Sequence, residues 1–212
     1  MYKNYFLLLL IPLFFIAPPL LSNTFVSPIS TTVSSSGLNT TLGYAFNANN
    51  NLVVSALGMW AAPSYSGTGQ IGLWDNAGQL LGQASVNSSG GTLFDSYRYA
   101  DLTTPIFLTA GQTYYLGVYT PSLYQVPLVH PSTPWLSSIF TIDPSITIFS
   151  GAYNNGGFSA PLNLIPTNYY MAGNAQFSVV TPEPGTYLML GSLLGIAAIA
   201  AMKKRRVSEE VK

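Results

Sequence analysis

The sequence predicts an all-β protein: a single antiparallel β-sandwich, jelly-roll-like, flanked by an N-terminal signal helix and a C-terminal transmembrane helix. Three observations predict it. Short runs rich in Val, Ile, Tyr, Phe and Thr alternate with polar residues and are cut by Asn, Gly and Pro at strand-length intervals. No long amphipathic helix and no internal repeat is legible between the two ends. The ends themselves differ from the body, each carrying an apolar block beside basic residues. The resulting boundaries are 1–22 for a signal peptide, 23–180 for the β-sandwich domain and 181–212 for a C-terminal signal.

The N-terminal block opens with Lys3 and runs from Tyr5 to Ile16 as an apolar stretch, the n-region and h-region of a secretory signal. Pro18-Pro19 ends the helix, and no A-x-A triplet follows, so cleavage near Ala17 and cleavage near Ser22 both fit. An uncleaved N-terminal anchor is the plainer alternative. The length of the block and its flanks favour a signal peptide.

From Asn23 to Asn39 the chain is rich in Ser and Thr and reads as one or two lead-in strands. Gly43 to Phe46 and Leu52 to Trp60 are β-rich runs separated by Asn49-Asn50-Asn51, whose side chains tolerate hairpin-turn conformations. Gln70 to Asp75 and Gln79 to Val86 form the clearest hairpin. Ile71 and Leu73 share one face, as do Leu80, Ala84 and Val86, and the Asp75-Asn76-Ala77-Gly78 turn supplies left-handed backbone. Asp75 could be drawn as a metal ligand or catalytic acid, but an aspartate bonding its own turn is far commoner. Phe94 to Leu102 reads as a strand with one wet face, on which Arg98 points away from Asp95 and Asp101. Pro105 to Leu108 and Thr113 to Tyr119 follow as strands. Pro121 to Pro166 holds seven prolines, which place loops and edge strands there. Ile146 to Phe149 and Ala175 to Val179 are the last strand candidates.

The C-terminal segment has three parts in fixed order: Pro182-Glu183-Pro184, an uncharged apolar stretch from Gly185 to Met202, and the basic run Lys203, Lys204, Arg205 and Arg206. An apolar helix of roughly 17–25 residues spans a bilayer, and flanking Lys and Arg stay on the cytoplasmic side. The body is therefore expected outside the cytoplasm. This segment resembles the PEP-CTERM sorting signal of Gram-negative bacteria that secrete exopolysaccharide. The resemblance implies an exosortase that reads Pro182-Glu183-Pro184, removes the helix, and releases or transfers the protein. The tail Val207 to Lys212 departs from the pattern, since such signals often end near the basic run. An ordinary tail anchor is the alternative.

A second resemblance rests on LGYAFNANNNLVVSALGMW, IGLWDNAGQLLG and RYADLTTPIFLTAGQTYYLGVY. These are similar to a bacterial extracytoplasmic β-sandwich family of unknown function, over roughly Gly43 to Val179. The resemblance implies a fold and no site residues.

Composition narrows the function. Charged residues make up 7% of the chain, against roughly 25% in ordinary globular proteins. The body carries only Arg98 against Asp75, Asp95, Asp101 and Asp143. It has no basic surface for phosphate, so nucleic acid is not an expected partner. Cysteine is absent, which removes disulfides, thiolate metal sites and a cysteine nucleophile. Catalysis needs several tunable groups in one place, and the body offers His130 and a few aspartates, without a G-x-S-x-G turn. No enzyme, cofactor or metal site is expected. Calcium, needing only oxygen ligands, stays open, although no D-x-D-x-D run is present.

Aromatic residues are the remaining resource. Trp60, Tyr65, Trp74, Tyr97, Tyr99, Tyr124, Trp135, Tyr153, Tyr169 and Tyr170 are too many for one core, although Trp60 and Trp74 lie in apolar strands and read as core. Trp135, in a proline-flanked loop, is the candidate ligand contact. The expectation is an exported, non-enzymatic surface or extracellular-matrix protein, structural or adhesive in exopolysaccharide, with exosortase and the inner membrane as transient partners. A carbohydrate-binding module is the alternative, and a secreted hydrolase the third reading.

Overall fold

The computed structural model describes residues 23–28, 33–35, 39–62, 65–122, 125–129 and 140–180. Its strands are β1 (Asn23–Thr24), β2 (Val26–Pro28), β3 (Val33–Ser35), β4 (Thr40–Ala48), β5 (Leu52–Trp60), β6 (Thr68–Asp75), β7 (Leu80–Asn87) and β8 (Thr92–Phe94). They continue as β9 (Tyr97–Leu108), β10 (Thr113–Thr120), β11 (Gln125–Val129), β12 (Phe140–Ile142), β13 (Ile146–Asn155), β14 (Asn163–Ile165), β15 (Tyr169–Tyr170) and β16 (Gly173–Val179). The fold is all-β, every pairing is antiparallel, and the described residues contain no helix. The expected signal helix and transmembrane helix lie outside the described residues, as do Pro182, Glu183, Pro184 and the basic run from Lys203 to Arg206.

Two main sheets form the body. One has the order β1-β16-β5-β9-β8 and the other β14-β13-β4-β10-β6-β7; β15-β11-β3 and β12-β2 are small additions. The alternating apolar residues of the main sheets meet in one cluster. From the six-stranded sheet come Leu42, Tyr44, Phe46, Ile71, Leu73, Leu116 and Val118; Leu52, Val54, Leu57, Met59 and Phe177 come from the other. Contacts cross the gap. Phe25 stacks at 5.0 Å on both Phe46 and Phe177, and Met59 lies over the backbone of Gly69. Burial of this cluster is the main driving force for the fold, at roughly 25 cal/mol per Å² of apolar surface removed from water.

In the β6–β7 hairpin Ile71 and Leu73 are buried as their alternation requires, but a register shift between Leu73 and Trp74 sets Leu80 opposite Trp74, so Leu80 is exposed and does not share the inner face of Val86. Asp75 Oδ1 accepts from the amides of Ala77 and Gln79, at 2.9 and 2.8 Å, and Gly78 has φ +80°. Asp75 is therefore a turn residue.

The Asn49-Asn50-Asn51 segment is not a hairpin turn. β4 and β5 belong to different sheets, so the three asparagines form a corner between layers. The side chains of Asn49 and Asn51 tie that corner down, and none of the three residues takes left-handed backbone. Asn49 Nδ2 donates to Pro144 O and Thr147 Oγ1, and Asn51 Oδ1 accepts from the Ala110 amide. Local turn chemistry marks the break, but which strands pair across it depends on the whole sheet.

The expected strand from Phe94 to Leu102 is also divided. Asp95 and Ser96 take left-handed conformations, with φ 48° and 66°, and make a two-residue turn between β8 and β9. β9 then runs through Pro105 as one strand of 12 residues. Pro105 is accommodated because pairing with β5 is interrupted there, jumping from Asp101↔Ala56 to Ile106↔Val54. In the proline-rich half, Ile146 to Phe149 is the start of a longer strand, β13, with a bulge at the exposed Phe149.

On the outer face of the six-stranded sheet, Gly43, Gly117 and Gly72 lie side by side across β4, β10 and β6. The bare backbone of this row admits the Trp74 ring, which stacks on Phe158 at 5.2 Å and is 3% exposed. Pro161 reaches toward the same glycines.

Candidate functional site

The sheet edges and the short β12–β2 pair enclose an open cleft of about 250 Å³ lined by Asn23, Thr24, Ser27, Phe94, Asp95, Thr141 and Asp143. Four separate parts of the chain build it. β1 is fixed by pairing with β16, Asn23 opposite Phe177, and Phe25 just beyond it is wholly buried. β2 is held against β16 by Asn174, whose side chain accepts from Val26 N and donates to Val26 O. The β8–β9 turn presents Phe94 and Asp95, and the end of β12 brings Thr141 and Asp143.

Within the cleft, Ser27 Oγ donates to Asp95 Oδ2 at 2.6 Å. The hydroxyls of Thr24 and Ser27 are 3.3 Å apart. Asp143 Oδ1 accepts from the Ser145 amide at 2.8 Å, while its own amide donates to Phe25 O. The Phe94 ring is 49% exposed. Among the described residues that line it, none carries a positive charge. The cleft thus presents two carboxylates, hydroxyls, an amide and an open ring, and it favours neutral or cationic groups over anions.

His130 lies outside the described residues, and no group of three or more His, Cys, Asp or Glu that could hold a metal occurs among those described. Arg98 joins neither Asp95 nor Asp101 in the hydrogen bonds found; its Nη1 donates to Gly90 O at 3.3 Å.

Trp60 and Trp74 are core, as their apolar strands predict. Trp60, Tyr65, Trp74, Tyr97 and Tyr99 are buried, while Tyr153, Tyr169 and Tyr170 are half-buried against the core. Tyr124 and Trp135 lie outside the described residues. Among the described residues the exposed rings are phenylalanines: Phe94, Phe149 and Phe107, the last 72% exposed. Sequence reading missed them because a Phe on a strand's outer face keeps the same period as one facing in. It also missed the cleft, whose segments are far apart in the chain and share no spacing.

Three buried tyrosines have distinct environments. Tyr97 donates to Met171 O at 2.8 Å. The hydroxyls of Tyr44 and Tyr99 meet no protein partner. Burial pushes the Tyr44 phenol well above its ordinary range, with nearby Tyr99 adding to the effect. Burial likewise raises Tyr99, and the Asp95 carboxylate adds to it.

No helix among the described residues is long and apolar enough to cross a membrane. No curated protein matches the chain. A protein-family model, described as a domain of unknown function, matches residues 27–174, from the second strand to the start of the last. That match takes in every strand of the six-stranded sheet and β5, β8 and β9 of the other, and the chain belongs to the DUF4082 family.

Proposed function

We propose that this protein is an exported, non-enzymatic component of the cell surface or extracellular matrix, sorted by a C-terminal PEP-CTERM signal and structural or adhesive within exopolysaccharide. The observation that carries this reading is the ordered C-terminal sequence: Pro182-Glu183-Pro184, then Gly185 to Met202 without charge, then Lys203, Lys204, Arg205 and Arg206. In this reading the proline-flanked glutamate is recognised by an exosortase, the apolar stretch holds the inner membrane, and the basic run sets orientation. An N-terminal signal peptide starts export, and a jelly-roll-like sandwich is the cargo. Support for the cargo's role comes from a body poor in charge and rich in Asn, Ser, Thr and Gln, groups that exchange hydrogen bonds with water and sugar hydroxyls.

Glu183→Ala tests the reading. Export should persist while the C-terminal helix is retained; a mature mass that loses the helix as before would count against exosortase handling. A carbohydrate-binding module is the second reading, favoured by the open rings of Phe94 and Phe107, whose flat faces suit sugar stacking. Retention on the producer's own polysaccharide, lost in Trp135→Ala, would favour it.

A further inference from the structure

We infer that Phe107, with Val53 and Val180 beside it, docks on the lipid surface next to the chain's own C-terminal apolar stretch for as long as that stretch holds the protein. This inference rests on the reading of Gly185 to Met202 as a membrane anchor. Among the described residues Phe107 is the most exposed of the large apolar side chains. Its neighbours in β9, Ile106 and Leu108, are buried, so the strand turns the ring outward. Phe107 lies opposite Val53 on β5, and Val53 lies opposite Ser178 on β16. Two residues beyond Ser178, on the same outward face, comes Val180, 45% exposed, its amide donating to Asn51 O at 2.8 Å. Neighbouring strands are about 4.8 Å apart and two residues advance about 7 Å, which sets Phe107 roughly 12 Å from Val180. Asn51, Thr109 and Ser178, on the same two rungs, carry no charge.

Where the chain leaves the domain decides what covers this patch. Only Thr181 to Pro184 separate Val180 from the apolar stretch, and from Val180 to Gly185 the backbone reaches at most about 18 Å. An anchor in the bilayer therefore draws the rim that carries Val180 and Phe107 to the membrane surface. Asn23, which follows the N-terminal apolar block, pairs with Phe177 near the same rim, so either apolar segment would bring this end of the sheet to lipid. A second copy of the chain is the poorer occupant. A stable interface takes about 800 Å² from each partner, whereas one ring supplies roughly 150–250 Å² and the two part-exposed valines add less. A single ring suits lipid, where apolar side chains sink roughly 5–10 Å into the boundary between headgroups and acyl chains. Such a contact is weak for a free domain, but a short tether raises the effective concentration to the millimolar range, where a weak contact suffices. Docking would fix the orientation of the domain over the membrane while Pro182-Glu183-Pro184 is read.

An indole probe tests this on the full-length chain reconstituted in phosphatidylcholine vesicles, with and without bromine near the headgroup end of the acyl chains. Bromine quenches indole on contact, so lost emission reports a ring seated in lipid. Phe107→Trp keeps an outward aromatic ring on β9 and so retains the fold. After subtraction of the unsubstituted chain, its emission should be largely lost in the brominated vesicles. Leu93→Trp is the control. Leu93 is 56% exposed but pairs with Arg98, itself opposite Met59, which lies about 23 Å along β5 from Leu52 and the exit rim. Its emission should persist. A Phe107→Trp chain quenched no more than Leu93→Trp overturns the inference. Shielding of the ring that follows protein concentration without lipid marks a second copy and overturns it too. A chain that fails to sediment with the vesicles overturns the anchor reading along with it, whereas an unquenched ring on a sedimenting chain leaves that reading standing.

Discussion

Tyr97 and Met171 are joined by a buried hydrogen bond, the phenol donating to the methionine carbonyl at 2.8 Å, which fastens β9 to the turn that precedes β16. Trp60 packs edge-on against the same Tyr97 ring at 5.4 Å and donates its backbone amide to the next carbonyl, Ala172 O. Tyr97→Phe should therefore lower stability by about 1–2 kcal/mol, since it leaves the Met171 carbonyl buried without its donor. Tyr44→Phe should be neutral or slightly stabilising, because it removes a hydroxyl that has no protein partner. Urea unfolding of the two variants side by side checks the contrast.

Alkaline pH should destabilise the fold through the same group of rings. Burial raises the phenol pKa of Tyr44 and Tyr99 above the unfolded value near 10.0. Below pH 10 both states hold these protons and stability is unaffected. Above it the unfolded chain releases them and the folded chain does not, so stability falls as pH rises, by up to about 1.4 kcal/mol per pH unit for each tyrosine. Tyr44→Phe should flatten the loss above pH 10 in a thermal-melt series without changing the profile below it.

The glycine row predicts a sharp positional difference. A Cβ on Gly43 would strike the backbone of Leu116 and Gly117, and one on Gly117 would come within 2.8 Å of Thr41 Cγ2 and 3.1 Å of Pro161. Gly43→Ala should cost at least 3 kcal/mol by forcing β4 from β10, at or beyond the top of the roughly 1–3 kcal/mol range for overpacking. Gly117→Ala should fall within that range, since side chains can yield. Gly90→Ala, whose Cβ would meet only ordinary contacts at 3.5 Å, should change stability by less than about 0.5 kcal/mol. Calorimetric melting separates the three.

Asn174 is a fully buried amide whose oxygen accepts from the amides of Val26 and Ala175 and whose nitrogen donates to Val26 O. Asn174→Leu should cost about 2–4 kcal/mol, because Val26 N and O are left buried without partners. Hydrogen exchange should show β2 and β12 losing protection before the main sheets do.

Legibility of the fold followed the range of the contacts. The β6–β7 hairpin was readable because Asp75, Gly78 and the Ile71/Leu73 alternation lie within one short window. Asn49 to Asn51 announced a turn but not its partner, since β4 pairs with β10 and β13, both far along the chain. Asp95 and Ser96 carry no glycine to mark a left-handed turn, so the strand looked continuous through them. Burial of Trp74 on an outer face needed the glycines of three strands brought into one row, which no local period encodes. The cleft was invisible for the same reason: Asp95 and Asp143 are neighbours only once β2 has paired with β12.

The pairing of β1 with β16 also has a mechanical consequence. Asn23 lies opposite Phe177, so the chain enters and leaves the domain at one pole, a few residues apart. A protein suspended from a membrane at its C-terminal end would transmit tension first into β16. That strand is flanked by β1 for two residues and by β5 along its whole length, with Val179 opposite Leu52. Pulling on it loads the full-length ladder to β5. The point at which such a tether joins the chain would thus set how much force the fold withstands before β16 is drawn out.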